Sequence, residues 1–108
     1  MSITQNQKTT IEELIGFDTT SVNSNLDLIT YVTNRLDGLG AHLTLDHSPD
    51  KTKANLLTTI GPKDQAGGII LSGHTDTVPV AGQNWSTDPY KIAESQGRLY
   101  ARGSADMK

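Results

Sequence analysis

The sequence predicts an α/β fold, and three observations carry this prediction. Apolar residues between positions 28 and 39 recur at steps of three and four, as on the buried face of a helix. Residues 42–46 alternate around Leu43 and Leu45, which is typical of a half-buried strand. Residues 68–72, GIILS, are almost continuously apolar and predict a central strand buried on both faces. Mixed helical and strand patterns of this kind are typical of α/β proteins.

The helices are predicted from their periodicity and from their capping residues. After an unstructured lead over residues 1–8, a first helix is expected to begin near Thr9 or Thr10, because threonine caps helices and an apolar face follows. The loop over residues 17–25 is rich in Thr, Ser and Asn. The second helix is expected to begin after Ser24 or Asn25 and to end at the glycines that follow residue 37.

Further strands are predicted where apolar runs meet turn residues. Residues 55–60 follow the polar turn Ser48-Pro49-Asp50 and are expected to form a strand. Residues 90–93 and 98–101 flank Ser95-Gln96-Gly97, which predicts a small hairpin.

Composition limits the classes of function. The 108 residues suit one small domain or a part of a larger one, and 34% hydrophobic residues predict a marginal core. The net charge is -3 without a basic stripe, so no nucleic-acid partner is expected. No apolar stretch approaches the ~20 residues of a membrane span, and there is no Cys. The polar start lacks the apolar centre of a secretion signal, so a cytoplasmic protein without a membrane partner is expected.

The first candidate for chemistry is the pair His74 and Asp76. Residues two apart on an extended chain point the same way, and this pair follows the predicted central strand. A metal-binding histidine usually donates its second ring N–H to a carboxylate, so His74 could be a ligand and Asp76 its orienting partner. The alternative is a histidine at a strand end that bonds a nearby turn.

The second candidate is Asp106, within RGSADMK. Small residues at positions 103–105 allow the backbone to approach another group closely. A carboxylate here could bridge two divalent metal ions, or it could cap a following helix. No dinucleotide fingerprint, P-loop, G-x-S-x-G or cysteine nucleophile is found.

Taken in order, these segments resemble the M20 metallohydrolase family. LSGHTDTVPV is followed by WSTDPYKIAESQGRLYARGSADMK, and upstream LIGFDTTSVNSN and KANLLTTIGP agree as well. The resemblance covers residues 10–108. It implies that this chain is the N-terminal portion of a catalytic domain with a three-layer α/β/α fold and a mixed central sheet, the rest of that domain and a dimerisation domain being absent.

The resemblance implies a role for each candidate. His74 would ligate one metal ion, Asp106 would bridge two ions, and Asp76 would be the catalytic-site carboxylate that holds the His74 ring. Zinc is the implied metal, with two ions per site, and cobalt can substitute. The family also implies a cis peptide bond between Asp106 and Met107.

The implied activity is metal-assisted hydrolysis of an N-acyl amino acid, a small-molecule substrate, by a full-length homodimer. The sequence most resembles members that release acetate from N-acetylornithine in arginine biosynthesis. Desuccinylases of succinyl-diaminopimelate, aminoacylases and peptidases share both motifs and stay open as alternatives. So does a non-catalytic truncated remnant. The general base and the remaining ligands of the family lie beyond residue 108, so the 108-residue chain alone is expected to be inactive.

Overall fold

The structure is a computed structural model and describes residues 3–108. These residues form helices and short strands, which confirms the predicted α/β class. In chain order the elements are α1 (Gln5–Gly16), α2 (Leu26–Leu36), β1 (Ala41–His47), β2 (Ala54–Ile60), β3 (Ala93–Ser95) and β4 (Arg98–Tyr100). Neither helix of the described residues has the length and apolarity needed to cross a membrane.

The described chain divides into two compact units. The first unit contains the residues before position 24 together with residues 73–108, and the second contains residues 24–72. α1 and the β3–β4 hairpin therefore lie in the first unit, whereas α2, β1 and β2 lie in the second. All three candidate residues belong to the first unit.

Helix α1 begins earlier than predicted. The Thr4 side chain accepts a hydrogen bond from the Gln7 backbone N–H at 3.2 Å, and the Gln7 side chain accepts one from the Thr4 N–H at 2.8 Å. This reciprocal pair is a capping box, which satisfies backbone donors that the helix leaves unpaired. The expectation of a start near Thr9 or Thr10 was wrong because the earlier cap is available. The unstructured lead is likewise wrong for residues 5–8, and residues 1–2 lie outside the described residues.

In the second unit, α2 packs against an antiparallel hairpin. β1 pairs with β2 in a register that runs from Ala41↔Ile60 to His47↔Ala54. The core of this unit contains Leu28 and Ile29 of α2 and Ala54 of β2. The sequence predicted all three elements, because their periodicity and turn residues are local features.

Asn25 lies at the predicted cap position of α2 but does not cap the helix with its side chain. Instead its amide accepts from the Ala54 N–H and donates to the Ala54 carbonyl, both at 2.9 Å. The Ser24 hydroxyl accepts from the Leu26 N–H at 3.2 Å. Asn25 therefore joins the start of α2 to the start of β2.

The central strand predicted at residues 68–72 was wrong. These residues have no regular secondary structure, and Ile69, Ile70 and Leu71 are 90%, 89% and 93% exposed. A central strand needs hydrogen-bonded neighbours on both sides, and no strand within residues 3–108 pairs with this segment. Apolar composition alone cannot supply those neighbours. The mixed central sheet and the three-layer arrangement stay predictions.

The first unit is built around a few buried residues. Ile15 of α1 and Ala101 are buried, together with Thr19, Thr20 and Thr77. The predicted hairpin is confirmed, and β3 and β4 pair from Ala93↔Tyr100 to Ser95↔Arg98. Its first strand is Ala93–Ser95 rather than residues 90–93. Gln96 and Gly97 form its two-residue turn with φ of 52° and 72°, as the right-handed twist of a tight hairpin requires.

Candidate metal site

Two loops of the first unit approach each other closely and form the candidate site. One contains residues 73–77 and the other residues 103–107. A Cβ at Gly103 would lie 3.3 Å from Cγ2 of Thr77, and Gly103 has a φ of +92°. A Cβ at Gly73 would lie 3.2 Å from the terminal methyl carbon of Met107. The predicted close backbone approach is therefore present at Gly103, where a larger residue would be strained.

This approach places the His74 ring between two carboxylates. Nε2 of His74 lies 3.1 Å from Oδ1 of Asp106. On the other side of the ring, Nδ1 lies 3.1 Å from Oδ1 of Asp76 and 3.1 Å from the Asp76 backbone oxygen. The structure thus brings together all three candidate residues, and it does so on loops rather than at the end of a strand.

The contacts of this site shift the pKa values of His74 and Asp76. The hydrogen bond to Asp106 is the main cause that raises the pKa of His74, followed by the backbone carbonyl of Asp76. The Ser21 hydroxyl is the main cause that lowers the pKa of Asp76, and the His74 charge lowers it further. The side chains are 49%, 58% and 88% exposed for His74, Asp76 and Asp106, so solvent weakens these interactions.

The donor atoms fit part of a zinc site. Imidazole nitrogen and carboxylate oxygen are both common zinc ligands, and Nε2 of His74 faces a carboxylate oxygen of Asp106. Asp76 stands on the other ring nitrogen, where carboxylates usually orient a ligand histidine. Within residues 3–108 no group of three or more His, Asp or Glu side chains is arranged to hold an ion. The described residues therefore offer two converging donors, fewer than the three protein ligands typical of catalytic zinc.

Residues 18–21 support the site, and the sequence analysis treated them only as part of a polar loop. The Thr77 N–H donates to the Thr19 carbonyl at 3.1 Å, and the Ser21 N–H donates to the Thr77 carbonyl at 3.0 Å. Thr20 and Thr77 form an isolated parallel bridge. The Thr19 hydroxyl also donates to the Thr75 carbonyl. The loop over residues 73–77 is therefore held in place by a short parallel pairing with residues 19–21.

A second polar network lies beside this pairing. Oδ1 of Asp18 accepts from the Thr20 hydroxyl at 2.6 Å, from the Thr20 N–H at 3.0 Å and from the Tyr90 hydroxyl at 3.0 Å. The Thr20 bonds are the main cause that lowers the pKa of Asp18. The short spacing of Asp18 and Thr20 is a common turn signal and could have been read from the sequence. The Tyr90 contact spans 72 residues and could not.

Arg102 contacts two side chains of the first unit. Its guanidinium carbon lies 5.2 Å from the centre of the Trp85 ring, and its side chain donates to the Gln83 side chain.

The described chain contains no cis peptide bond, so the expected cis bond between Asp106 and Met107 was wrong. A trans bond is favoured by about 3–4 kcal/mol wherever the surroundings do not impose the cis form.

Comparison with known proteins supports the resemblance seen in the motifs. Residues 70–108, which include all three site residues, match the family model of Peptidase family M20/M25/M40. The chain is 43% identical over 86 residues, 79% of its length, to the acetylornithine deacetylase of Shigella sonnei (strain Ss046). It is 41% identical over 92 residues, 84% of its length, to the acetylornithine deacetylase of Proteus mirabilis (strain HI4320).

These matches confirm the predicted similarity to M20 metallohydrolases and, among them, to acetylornithine deacetylases. The chain spans only 22% and 23% of the lengths of the two curated relatives. The similarity therefore covers most of this chain and a small part of each relative.

Proposed function

We propose that this chain is part of a metal-dependent amide hydrolase of the M20 type, which removes the acetyl group from N-acetylornithine. The observation that carries the proposal is the His74 ring held between Asp76 and Asp106. The identity to acetylornithine deacetylases supports the substrate. The full protein would be a cytoplasmic homodimer with a three-layer α/β/α catalytic domain.

The residues have distinct tasks in this reaction. Asp76 holds the Nδ1 face of His74, so that Nε2 is left to accept a metal ion together with Asp106. Zinc, or cobalt in its place, supplies polarisation of the acyl carbonyl and activation of water. In the overall reaction, water adds its oxygen to the acyl carbon, the C–N bond breaks, and the amine leaves with a proton. The products are acetate and ornithine.

Within residues 3–108 the candidate site consists of two metal donors, His74 and Asp106, and one orienting carboxylate, Asp76. General acid–base catalysis alone contributes about 10²–10⁴-fold to a rate, and in the described part of the chain the partners of the His74 ring are Asp76 and Asp106 alone. We therefore expect the 108-residue chain alone to release no acetate.

The test begins with the nucleotide sequence that follows the Lys108 codon. If the reading frame continues, the encoded protein is expressed and loaded with zinc or cobalt. It is then assayed with N-acetylornithine, N-succinyl-diaminopimelate and a dipeptide. Preferential release of acetate from N-acetylornithine, lost in His74→Ala and kept in His42→Ala, supports the proposal. His42 is a matched control because it is an exposed histidine on β1 of the other unit.

Other outcomes would replace the proposal. A preference for the succinyl substrate or the dipeptide would keep the hydrolase and change its substrate. A stop codon directly after Lys108, with no activity in the chain, would make it a non-catalytic remnant.

A further inference from the structure

The Asp76 carboxylate is held from two directions. Its Oδ1 lies 3.1 Å from Nδ1 of His74, and its Oδ2 accepts a hydrogen bond from the Ser21 hydroxyl at 2.7 Å. The two oxygens of one carboxylate are therefore engaged by different partners. Together the contacts form a chain from Ser21 through Asp76 and His74 to Asp106.

Ser21 is itself fixed by its backbone. Its N–H donates to the Thr77 carbonyl at 3.0 Å, next to the Thr20–Thr77 bridge. The hydroxyl also lies 3.3 Å from the Thr77 carbonyl oxygen, which is a longer contact than the one to Asp76. Since the backbone bonds do not involve the side chain, removal of the hydroxyl leaves this attachment in place.

We propose that Ser21 is a positioning residue for the metal-binding ring of His74 and that it acts through Asp76. This inference rests on the proposed function. The Asp76 side chain is 58% exposed, so packing does little to restrict rotation of its carboxylate. The Ser21 hydroxyl restricts that rotation and keeps Oδ1 opposite Nδ1 of His74. Asp106 competes for the ring proton at Nε2, and a well-placed Asp76 favours that proton on Nδ1, which would leave Nε2 free for a metal ion.

A purely structural role for Ser21 would give different results. A hydroxyl that only attached residues 18–21 to the site loop would change the stability of the first unit without changing the proton position on the ring. The discriminating readout is the neutral tautomer of His74, because it responds to the partner of Nδ1.

The experiment uses the protein as it is encoded, with ¹⁵N in the histidine rings, at an alkaline pH that keeps imidazole neutral. Ring ¹⁵N shifts of His74 report the tautomer, and zinc affinity is measured by competition with a chelator. Ser21→Ala is compared with Ser86→Ala, which changes an exposed serine of the same unit. Ser21→Thr and Ser21→Val form a second pair of equal shape that differs by one hydroxyl, and this pair gives the answer if Ser21→Ala does not fold.

We expect Ser21→Ala and Ser21→Val to shift the neutral His74 ring toward the Nε2–H tautomer and to bind zinc roughly threefold to tenfold more weakly. This is less than the 10–100-fold typical of a residue that contacts the ligand directly. Ser21→Thr and Ser86→Ala should resemble the unchanged protein. An unchanged tautomer and affinity in Ser21→Val would overturn the inference, even if His74→Ala abolished zinc binding. If His74→Ala left zinc binding intact, the proposed function itself would fail.

Discussion

Nε2 of His74 and Oδ1 of Asp106 lie 3.1 Å apart although 32 residues separate them in the chain. The loops that carry them come together at Gly103, where a Cβ would lie 3.3 Å from Cγ2 of Thr77. The proposal of a shared metal ion rests on the contact between His74 and Asp106, and the following prediction tests it directly.

Zinc binding should depend on His74 and Asp106. Replacement of either residue by alanine removes one of two converging donors, so zinc affinity should fall by at least about tenfold. Isothermal titration of the metal-free protein measures the change, with His42→Ala as the control. Equal weakening in His42→Ala would mean that zinc binds the surface histidines rather than this site.

Replacement by valine should affect stability differently at two buried threonines. The Thr20 hydroxyl donates to Asp18 at 2.6 Å, whereas the buried Thr77 hydroxyl has no hydrogen-bond partner in the described chain. Thr20→Val should lower the free energy of unfolding by about 1–3 kcal/mol, because the hydroxyl bond is lost. Thr77→Val should be neutral or stabilising, because it removes an unpaired polar atom at constant volume.

Denaturation followed by Trp85 fluorescence measures both changes, since the single tryptophan lies in the same unit. A Thr77→Val chain that loses as much stability as Thr20→Val would contradict the assignment of the two hydroxyls.

Asn25 should stabilise the second unit through its paired bonds to Ala54. Asn25→Ala leaves the N–H and the carbonyl of a residue that is only 4% exposed without this partner. The expected cost is about 1–3 kcal/mol. Amide hydrogen exchange over residues 41–60 measures it, because β1 and β2 lie there. Asn34→Ala, at an exposed position within α2, is the control and should be neutral or slightly stabilising. Unchanged exchange in Asn25→Ala would be the contrary result.

Acid should remove the stabilisation that Asp18 provides. Its folded pKa is lowered, mainly by the Thr20 hydrogen bonds, from an ordinary value of 3.8. The folded chain thus binds this proton less tightly than the unfolded chain. The contribution of the ionised carboxylate is therefore present above that ordinary value and is lost as the pH falls through the folded pKa.

Denaturation of the unchanged chain and of Asp18→Asn at several pH values measures this effect. The difference in free energy of unfolding should shrink as the pH falls below 3.8. In a Thr20→Val background the shrinkage should be smaller, since the main cause of the shift is gone. A difference that stays constant with pH would show that Asp18 does not contribute in this way.

Local elements of the fold could be predicted because their signals are local. The apolar face of α2 and the two-residue turn at Gln96 and Gly97 each act over a few neighbouring positions. The start of α1 was missed although the reciprocal Thr4 and Gln7 pattern is visible in the chain. The apolar face that starts at Ile11 predicts a later start than the one that the Thr4 cap defines.

The candidate site was found from residue types and the order of its motifs, but its support was not. His74, Asp76 and Asp106 are chemically distinctive, so the sequence was enough to select them. Ser21 and Thr19 are common loop residues, and their roles depend on contacts that span 55 and 56 residues. No local pattern encodes such a distance.

The sequence alone determined the α/β character, the second helix, the strands β1 and β2, the small hairpin and the three residues of the candidate site. These depend on periodicity, turn chemistry and side-chain type, which are properties of neighbouring positions. The tertiary structure decided that residues 68–72 form no strand, that His74 lies between two carboxylates, and that Ser21 holds one of them. The physical reason is that strand pairing and hydrogen bonding need a partner at about 3 Å, and only folding determines which distant residue provides it.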